Sequence, residues 1–431
     1  MVSVPPRPGS DVLGDFDDGD EGLTTVGMDL FGHQQVPDYP AIARLGQFEI
    51  LGRMARGGMA EVYLARERAE DGSVRHVVVK RVLTEMQHDP EMLRMFVDEG
   101  RIALRLFHPN VCHVYECGDV AGLTFMALEW VHGTSLRDVI RRAAPRGGLP
   151  IPVVVHVIAR IAGALEYVHN ARGLDGKPLS IIHQDVSPHN VMLSWRGHVK
   201  LLDFGIAKTS AQAARGAGAP QGKYEYMAPE QVRGEPIDAR ADVFALGVCL
   251  YESLTSHALY ARDSLPQIMT AVVEESVPSI RSVRPELPEA LDRIVRKALA
   301  KRAADRYQSA GELEAALDGW LAANGQTVAD IRVALAIGGL YSPAEKAPLP
   351  PNAADITGTL PALTALGMQP PEAWSERFDH SRSSRPPATS PEMASATPEK
   401  RGGLGLVVGG LTMLTIGALA LVVAMWFALR T

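Results

Sequence analysis

The chain has 431 residues, 46% hydrophobic and 22% charged, enough to bury one large two-lobed core with polar extensions to spare. A formal net charge of -7 argues against a general nucleic-acid binder, so no nucleic-acid partner is expected. Three cysteines, Cys112, Cys117 and Cys249, lack CxxC spacing and argue against both a disulfide framework and a zinc site. The N-terminus has no apolar segment able to act as a signal peptide. Residues 11 to 22 instead carry Asp11, Asp15, Asp17, Asp18, Asp20 and Glu21 with no basic residue, which reads as a disordered acidic arm within residues 1–47.

His76 to Val82 follows an Asp71-Gly72 turn as a β-rich run, placing Lys80 on the face shared by Val78 and Val82. Met92, Met95, Ile102 and Leu106 then mark the inward stripe of a helix, and Glu99 falls on that stripe. A carboxylate on a buried face is costly unless paired, so Lys80 and Glu99 are expected to satisfy each other. Farther along, His183-Gln184-Asp185 ends an apolar approach and a short loop runs to Asn190. A turn at Trp195 to His198 separates the apolar runs Val191 to Leu193 and Val199 to Leu202, a hairpin that returns Asp203 close to Asn190. Two hard oxygen ligands side by side suit Mg2+, with Mn2+ as an alternative, completed by water and phosphate oxygens. Asp185 is left as the carboxylate that accepts a proton from an attacking hydroxyl.

Downstream, Thr327 to Leu340 adds one more helix within residues 323–341, and residues 342–401, rich in Pro, Ala, Ser and Thr, read as a linker. Residues 402–429 form a predominantly apolar run without a charge, about 40 Å long as a helix and so able to cross a hydrocarbon core of about 30 Å. Lys400 and Arg401 on the near side, against Arg430 alone on the far side, place the preceding domain in the cytoplasm, anchored to the inner or plasma membrane. Gly405 and Gly409 have the spacing of a helix-dimer seam, which would permit a homodimer.

Taken in order, a Gly-rich loop, Lys80, Glu99, HQD-x4-N, DFG (Asp203 to Gly205) and APE (Ala228 to Glu230) resemble the bacterial eukaryotic-like, Hanks-type serine/threonine protein kinase family. The resemblance implies an α+β, two-lobed fold. A small antiparallel β lobe with one main helix and the hinge would occupy residues 48–131, and a large, mostly helical lobe residues 132–322, with the single transmembrane helix at the C-terminus. It implies ATP as cofactor, with Lys80 gripping the α and β phosphates and protein substrates as partners. Gly57, Gly58, Met59 and Val62 would cover the phosphates, Glu129 to Val131 would contact adenine beside a gatekeeper at Leu128, and Asn190 and Asp203 would hold the metal. Scaffold roles fall to a Glu230–Arg306 salt bridge and to Asp242 at a helix start.

The chain departs from the family pattern in several places. Of the loop's three glycine positions only Gly57 is kept, with Ala55 and Ala60 at the other two, which costs little if those alanines are extended. Gln184 replaces the arginine that receives an activation-loop phosphate; Ser187 replaces a catalytic-loop lysine, and Lys223 stands where a threonine is usual. Lys223 is therefore a candidate to supply the missing cation beside Asp185. Together these residues point to a membrane-anchored serine/threonine kinase, with a nucleotide-binding pseudokinase scaffold as the main alternative and a small-molecule phosphotransferase behind it. Against the last stand the APE motif, Asp242 and Arg306, which in the family build a protein-substrate platform.

Overall fold

The computed structural model describes residues 41–69, 71–173, 175–203 and 221–347, leaving aside the side chains of residues 221–223. Strands β1 (Ala43–Leu45), β2 (Phe48–Arg56), β3 (Ala60–Arg68), β4 (Val74–Val82), β5 (Val114–Val120) and β6 (Leu123–Glu129) form one sheet in the order β1-β2-β3-β4-β6-β5. All its pairs are antiparallel. Strand β1 corrects the boundary placed at residue 48. Ala43 and Leu45 alternate with Arg44 and are buried, and Gly46 takes φ 56 in the turn that folds them back onto Ile50 and Phe48. Helix α1 (Pro90–Ala103) starts where Asp89 accepts the N–H groups of Glu91 and Met92, with Pro90 in the first turn. Its buried face is Met92, Phe96, Glu99, Gly100 and Ala103. Met95 and Ile102 are only half-buried, and Leu106 lies beyond the helix end, so the expected stripe is rotated slightly while Glu99 stays on it.

The large lobe is built around helix α3 (Ile151–His169) and a helix at Arg240–Thr255. After β6 come β7 (Gly133–Ser135), α2 (Leu136–Ala143) and α3, then the hairpin of β8 (Val191–Ser194) and β9 (Val199–Leu201). Next follow α4 (Pro229–Arg233), α5 (Arg240–Thr255), α6 (Leu265–Glu274), α7 (Ile280–Val283), α8 (Glu289–Ala298) and α9 (Ala310–Ala323). Among the described residues α3 alone is long and apolar enough to span a bilayer, but it is the core of this lobe, with Val155, Ile158, Ala159, Ile161, Ala162 and Leu165 fully buried.

The segment after the catalytic lobes differs from expectation. The added helix is α10 (Asp330–Gly338), since Ala323 still belongs to α9. Residues 342 to 347 are not yet linker: Ser342 and Glu345 form a reciprocal capping box that opens the short helix α11 (Pro343–Lys346), and Glu345 is paired with Arg142. The proposed acidic arm, the rest of the linker and the apolar run 402–429 lie outside the described residues.

Candidate active site

Strand β4 sets Lys80 opposite Val62 on one side and Met126 on the other, in the middle of the sheet. Its Nζ lies 3.0 Å from Asp203 Oδ1 and 3.8 Å from Glu99 Oε1. Burial by itself would lower the lysine's pKa, but the carboxylates of Asp203, Glu99 and Asp185 outweigh it and hold the group above its ordinary value. Lys80 is therefore a permanent cation shared between the small-lobe helix and the large-lobe hairpin. Phosphate oxygens arriving there would meet a charge that is already positioned.

The catalytic loop is held from beneath by Asp242, only 1% exposed at the start of α5. One carboxylate oxygen accepts the N–H of His183 at 2.7 Å and meets His169 Nε2 at 2.8 Å, and the other accepts the N–H of Gln184 at 2.8 Å. The fully buried His183 ring accepts the Asp185 N–H on Nδ1 (3.3 Å) and donates from Nε2 to the Leu202 carbonyl (3.0 Å), linking the loop to the segment just after β9 that carries Asp203. Gln184 and Asp203 both sit at positive φ, 61° and 37°, conformations that cost on the order of 1–3 kcal/mol in a non-glycine residue. The hydrogen bonds of Asp242 and His183 are what hold the backbone there.

Asp185 is oriented by Asn190, whose Nδ2 donates to its carboxylate at 2.9 Å and to its carbonyl at 2.7 Å. Asn190 thereby commits its amide hydrogens and keeps the amide oxygen for another partner. The hairpin register pairs Val191 with Leu201, and the Leu202 N–H donates to the Asn190 carbonyl at 2.8 Å, so Asp203 follows directly on the residue opposite Asn190. The Asp203 side chain is 39% exposed. No group of three or more His, Cys, Asp or Glu among the described residues could hold a metal alone, whereas one amide oxygen and one carboxylate with phosphate oxygens suit Mg2+. A bound Mg2+ would neutralise charge on the phosphates; positioning the nucleophile and taking its proton would be the work of Asp185.

Around this centre the other sequence-expected residues take varied places. Gly57, Gly58 and Met59 form the turn between β2 and β3, closed by Gly57 N–H donating to the Ala60 carbonyl at 2.8 Å, and neither glycine uses positive φ. Ala55 and Ala60 are paired in strands, opposite Val62 and Val82, so their Cβ atoms impose no backbone strain. Beneath the loop is a network the sequence reading missed. Buried Glu61 accepts Arg81 Nη2 at 2.6 Å and the Tyr63 hydroxyl at 2.7 Å, with Arg53 and Arg56 at 3.3 and 3.5 Å. Leu128 is buried on β6, and the Glu129 carboxylate takes Lys200 at 2.8 Å and the His113 N–H at 3.2 Å. Val131 follows in the connector to β7.

Arg306 is 2% exposed and satisfies all five of its N–H donors: two oxygens of Glu230 at 2.6 and 2.7 Å, and the carbonyls of Ala300, Arg240 and Lys301. This ties the segment after the catalytic loop to the last helices. Lys223 begins no such account. Its backbone belongs to the 3-10 stretch Gln221–Tyr226, but its side chain, like residues 204–220, lies outside the described residues.

A model of the protein kinase domain matches residues 48–315, more than half of the chain. The chain belongs to the protein kinase family. It is 39% identical to a protein of Myxococcus xanthus named tyrosine-protein kinase MasK, over 65% of this chain and 44% of that protein. To serine/threonine-protein kinase PknH of Mycobacterium tuberculosis it is 34% identical, over 62% of this chain and 41% of that one. To PknB of Mycolicibacterium smegmatis it is 37% identical, over 62% and 41%. The chain thus spans less than half the length of these curated relatives. Among solved structures, the PknI kinase domain of M. tuberculosis aligns at TM-score 0.51 and 27% identity, covering 66% of this chain and 99% of that one. The two-lobed fold is thus the one these protein kinases share.

Proposed function

We propose that this kinase is active, that it transfers the γ-phosphate of ATP to Ser or Thr hydroxyls of protein substrates, and that residues 402–429 anchor it to a membrane with the catalytic lobes in the cytoplasm. The observation that carries the first part is the bond from Asn190 to the Asp185 carboxylate beside a Lys80 already paired with Asp203 and Glu99. A pure scaffold has no need of an aspartate oriented by a metal-site asparagine. The extended alanines of the glycine loop remove one argument for impaired nucleotide binding.

Serine and threonine are favoured by the names of several relatives, PknH and PknB among them. A tyrosine preference is the second reading, because the 39% identical MasK is named a tyrosine-protein kinase and Ser187 replaces the loop lysine. Incorporation of labelled γ-phosphate from Mg-ATP into the protein and a generic substrate, followed by acid hydrolysis, separates the two. Phosphoserine and phosphothreonine are expected, and phosphotyrosine alone would replace the assignment. For the anchor, the support is the uncharged 402–429 run. Removal of everything after Pro398 should move a competent enzyme to the soluble fraction, and its recovery with membranes would refute the anchor.

A further inference from the structure

The hinge is backed by an unbroken series of aromatic rings that ends outside the catalytic lobes. His76 of β4 meets Trp130 (5.7 Å), Trp130 stacks on His132 (4.8 Å, 26° between planes), and His132 stands edge-on to Trp195 (6.4 Å, 89°). Trp195 in turn packs edge-to-face against Tyr341 (4.9 Å, 63°). Polar contacts follow the same route. The Trp195 N–H donates to the His132 carbonyl at 3.0 Å, the Tyr341 hydroxyl lies 3.1 Å from Thr134 Oγ1 on β7, and the backbone of Lys346 hydrogen-bonds the His132 ring. The segment is clamped from α2: Arg142 lies 4.1 Å over the Tyr341 ring and pairs with Glu345 at 2.8 Å, and Arg146 Nη1 donates to the Gly339 carbonyl at 2.6 Å. Hydrogen bonds from Ser342 and then Arg142 hold the Glu345 carboxyl down to about 2, so the clamp stays charged across the physiological range.

Gly133 shows how little slack the hinge has. A Cβ there would lie 2.0 Å from the Leu193 carbonyl oxygen, so the backbone is pressed onto β8 and both of its neighbours, His132 and Thr134, touch the segment at 339–346. We propose that residues 339–346 are a strap that positions the hinge, with Tyr341 as its positioning residue, and that ATP affinity depends on the strap being seated.

The proposal rests on the kinase reading. It predicts a split in the kinetics, since the adenine end of ATP is remote from the γ-phosphate: loosening the hinge removes binding shared by ground and transition states, which raises KM and leaves kcat. In the full-length protein, Tyr341→Ala should raise both the Kd of Mg-ATP, measured by calorimetry, and its KM by about three- to tenfold, with kcat changed less than about twofold. Tyr341→Phe keeps the ring stack and should stay within about twofold of wild type. Glu345→Ala, at an exposed position that empties no core site, should shift Kd the same way by about two- to threefold. An unchanged Kd in both Tyr341→Ala and Glu345→Ala, or a fall in kcat that tracks a fall in melting temperature with Kd unmoved, would overturn the strap. The calorimetric arm needs no turnover, so wild-type protein that binds Mg-ATP without transferring phosphate would remove the kinase reading and still test the strap.

Discussion

Glu230→Ala would leave the Arg306 guanidinium, 2% exposed, without the two carboxylate oxygens that now lie 2.6 and 2.7 Å from it. Three carbonyls would still accept, so the loss is of charge compensation rather than of every hydrogen bond. Breaking a buried pair from one side costs about 3–5 kcal/mol. Set against a total stability of about 5–15 kcal/mol, that is a large fraction. At about 2–4 °C per kcal/mol it predicts a melting temperature lower by about 6–20 °C. Circular dichroism melts of wild type, Glu230→Ala, Arg306→Met and the double variant would measure it. Because the double variant leaves no orphan charge, it should be less destabilised than the sum of the singles by about 1 kcal/mol or more. A Glu230→Ala melt within 2 °C of wild type, or strict additivity in the cycle, would show that the pair does not tie the segment to the last helices.

Three further predictions concern Glu252, Lys80 and, from the sequence pattern, Lys223. Burial raises the pKa of Glu252 from 4.5 to about 7, an effect the Tyr226 hydroxyl and Arg137 only partly oppose. A carboxyl raised on folding favours the native state below pH 4.5 and loses that contribution as pH climbs to about 7, on the order of 3 kcal/mol, so Glu252→Gln should flatten the stability decline between pH 4.5 and 7 in urea titrations; parallel curves would refute this. Lys80→Ala removes the cation between Asp203 and Glu99 and should lower turnover by at least about 10²-fold, while the protein still unfolds in one cooperative transition, as steady-state kinetics and melts would report. If Lys223 supplies the charge that Ser187 lacks, Lys223→Ala should lower kcat far more than it raises the Kd of ATP, and Ser187→Lys with Lys223→Thr should recover part of the loss. A wild-type rate in Lys223→Ala would end that idea.

Much of the site was legible because its residues are close in sequence or fixed by periodicity. The loop from Asp185 to Asn190 and the hairpin to Asp203 are local, and the 3.6-residue stripe that carries Glu99 survives a small rotation because burial, not the identity of each neighbour, sets the face. Strand β1 was missed although Ala43, Leu45, Phe48 and Ile50 alternate across Gly46; the pattern is short and lay beside an acidic, Gly- and Pro-rich arm. The Glu61, Arg81 and Tyr63 network could not be seen, since charged residues alternating along a strand read as a solvated face until tertiary burial shows otherwise. Tyr341 against Trp195 and Thr134 is a contact across more than a hundred residues, and no local signal announces it.

The central claim is that Asp185, oriented by Asn190, takes the proton of a hydroxyl while the neighbouring groups hold ATP. Its most direct test is transfer of labelled phosphate from Mg-ATP by wild type beside Asp185→Asn, with ATP affinity measured on both. The account predicts transfer by wild type, a rate in Asp185→Asn lower by about 10²–10⁴-fold, and similar nucleotide Kd values for the two proteins. Equal rates in the two proteins, or tight ATP binding without transfer in wild type, would contradict it.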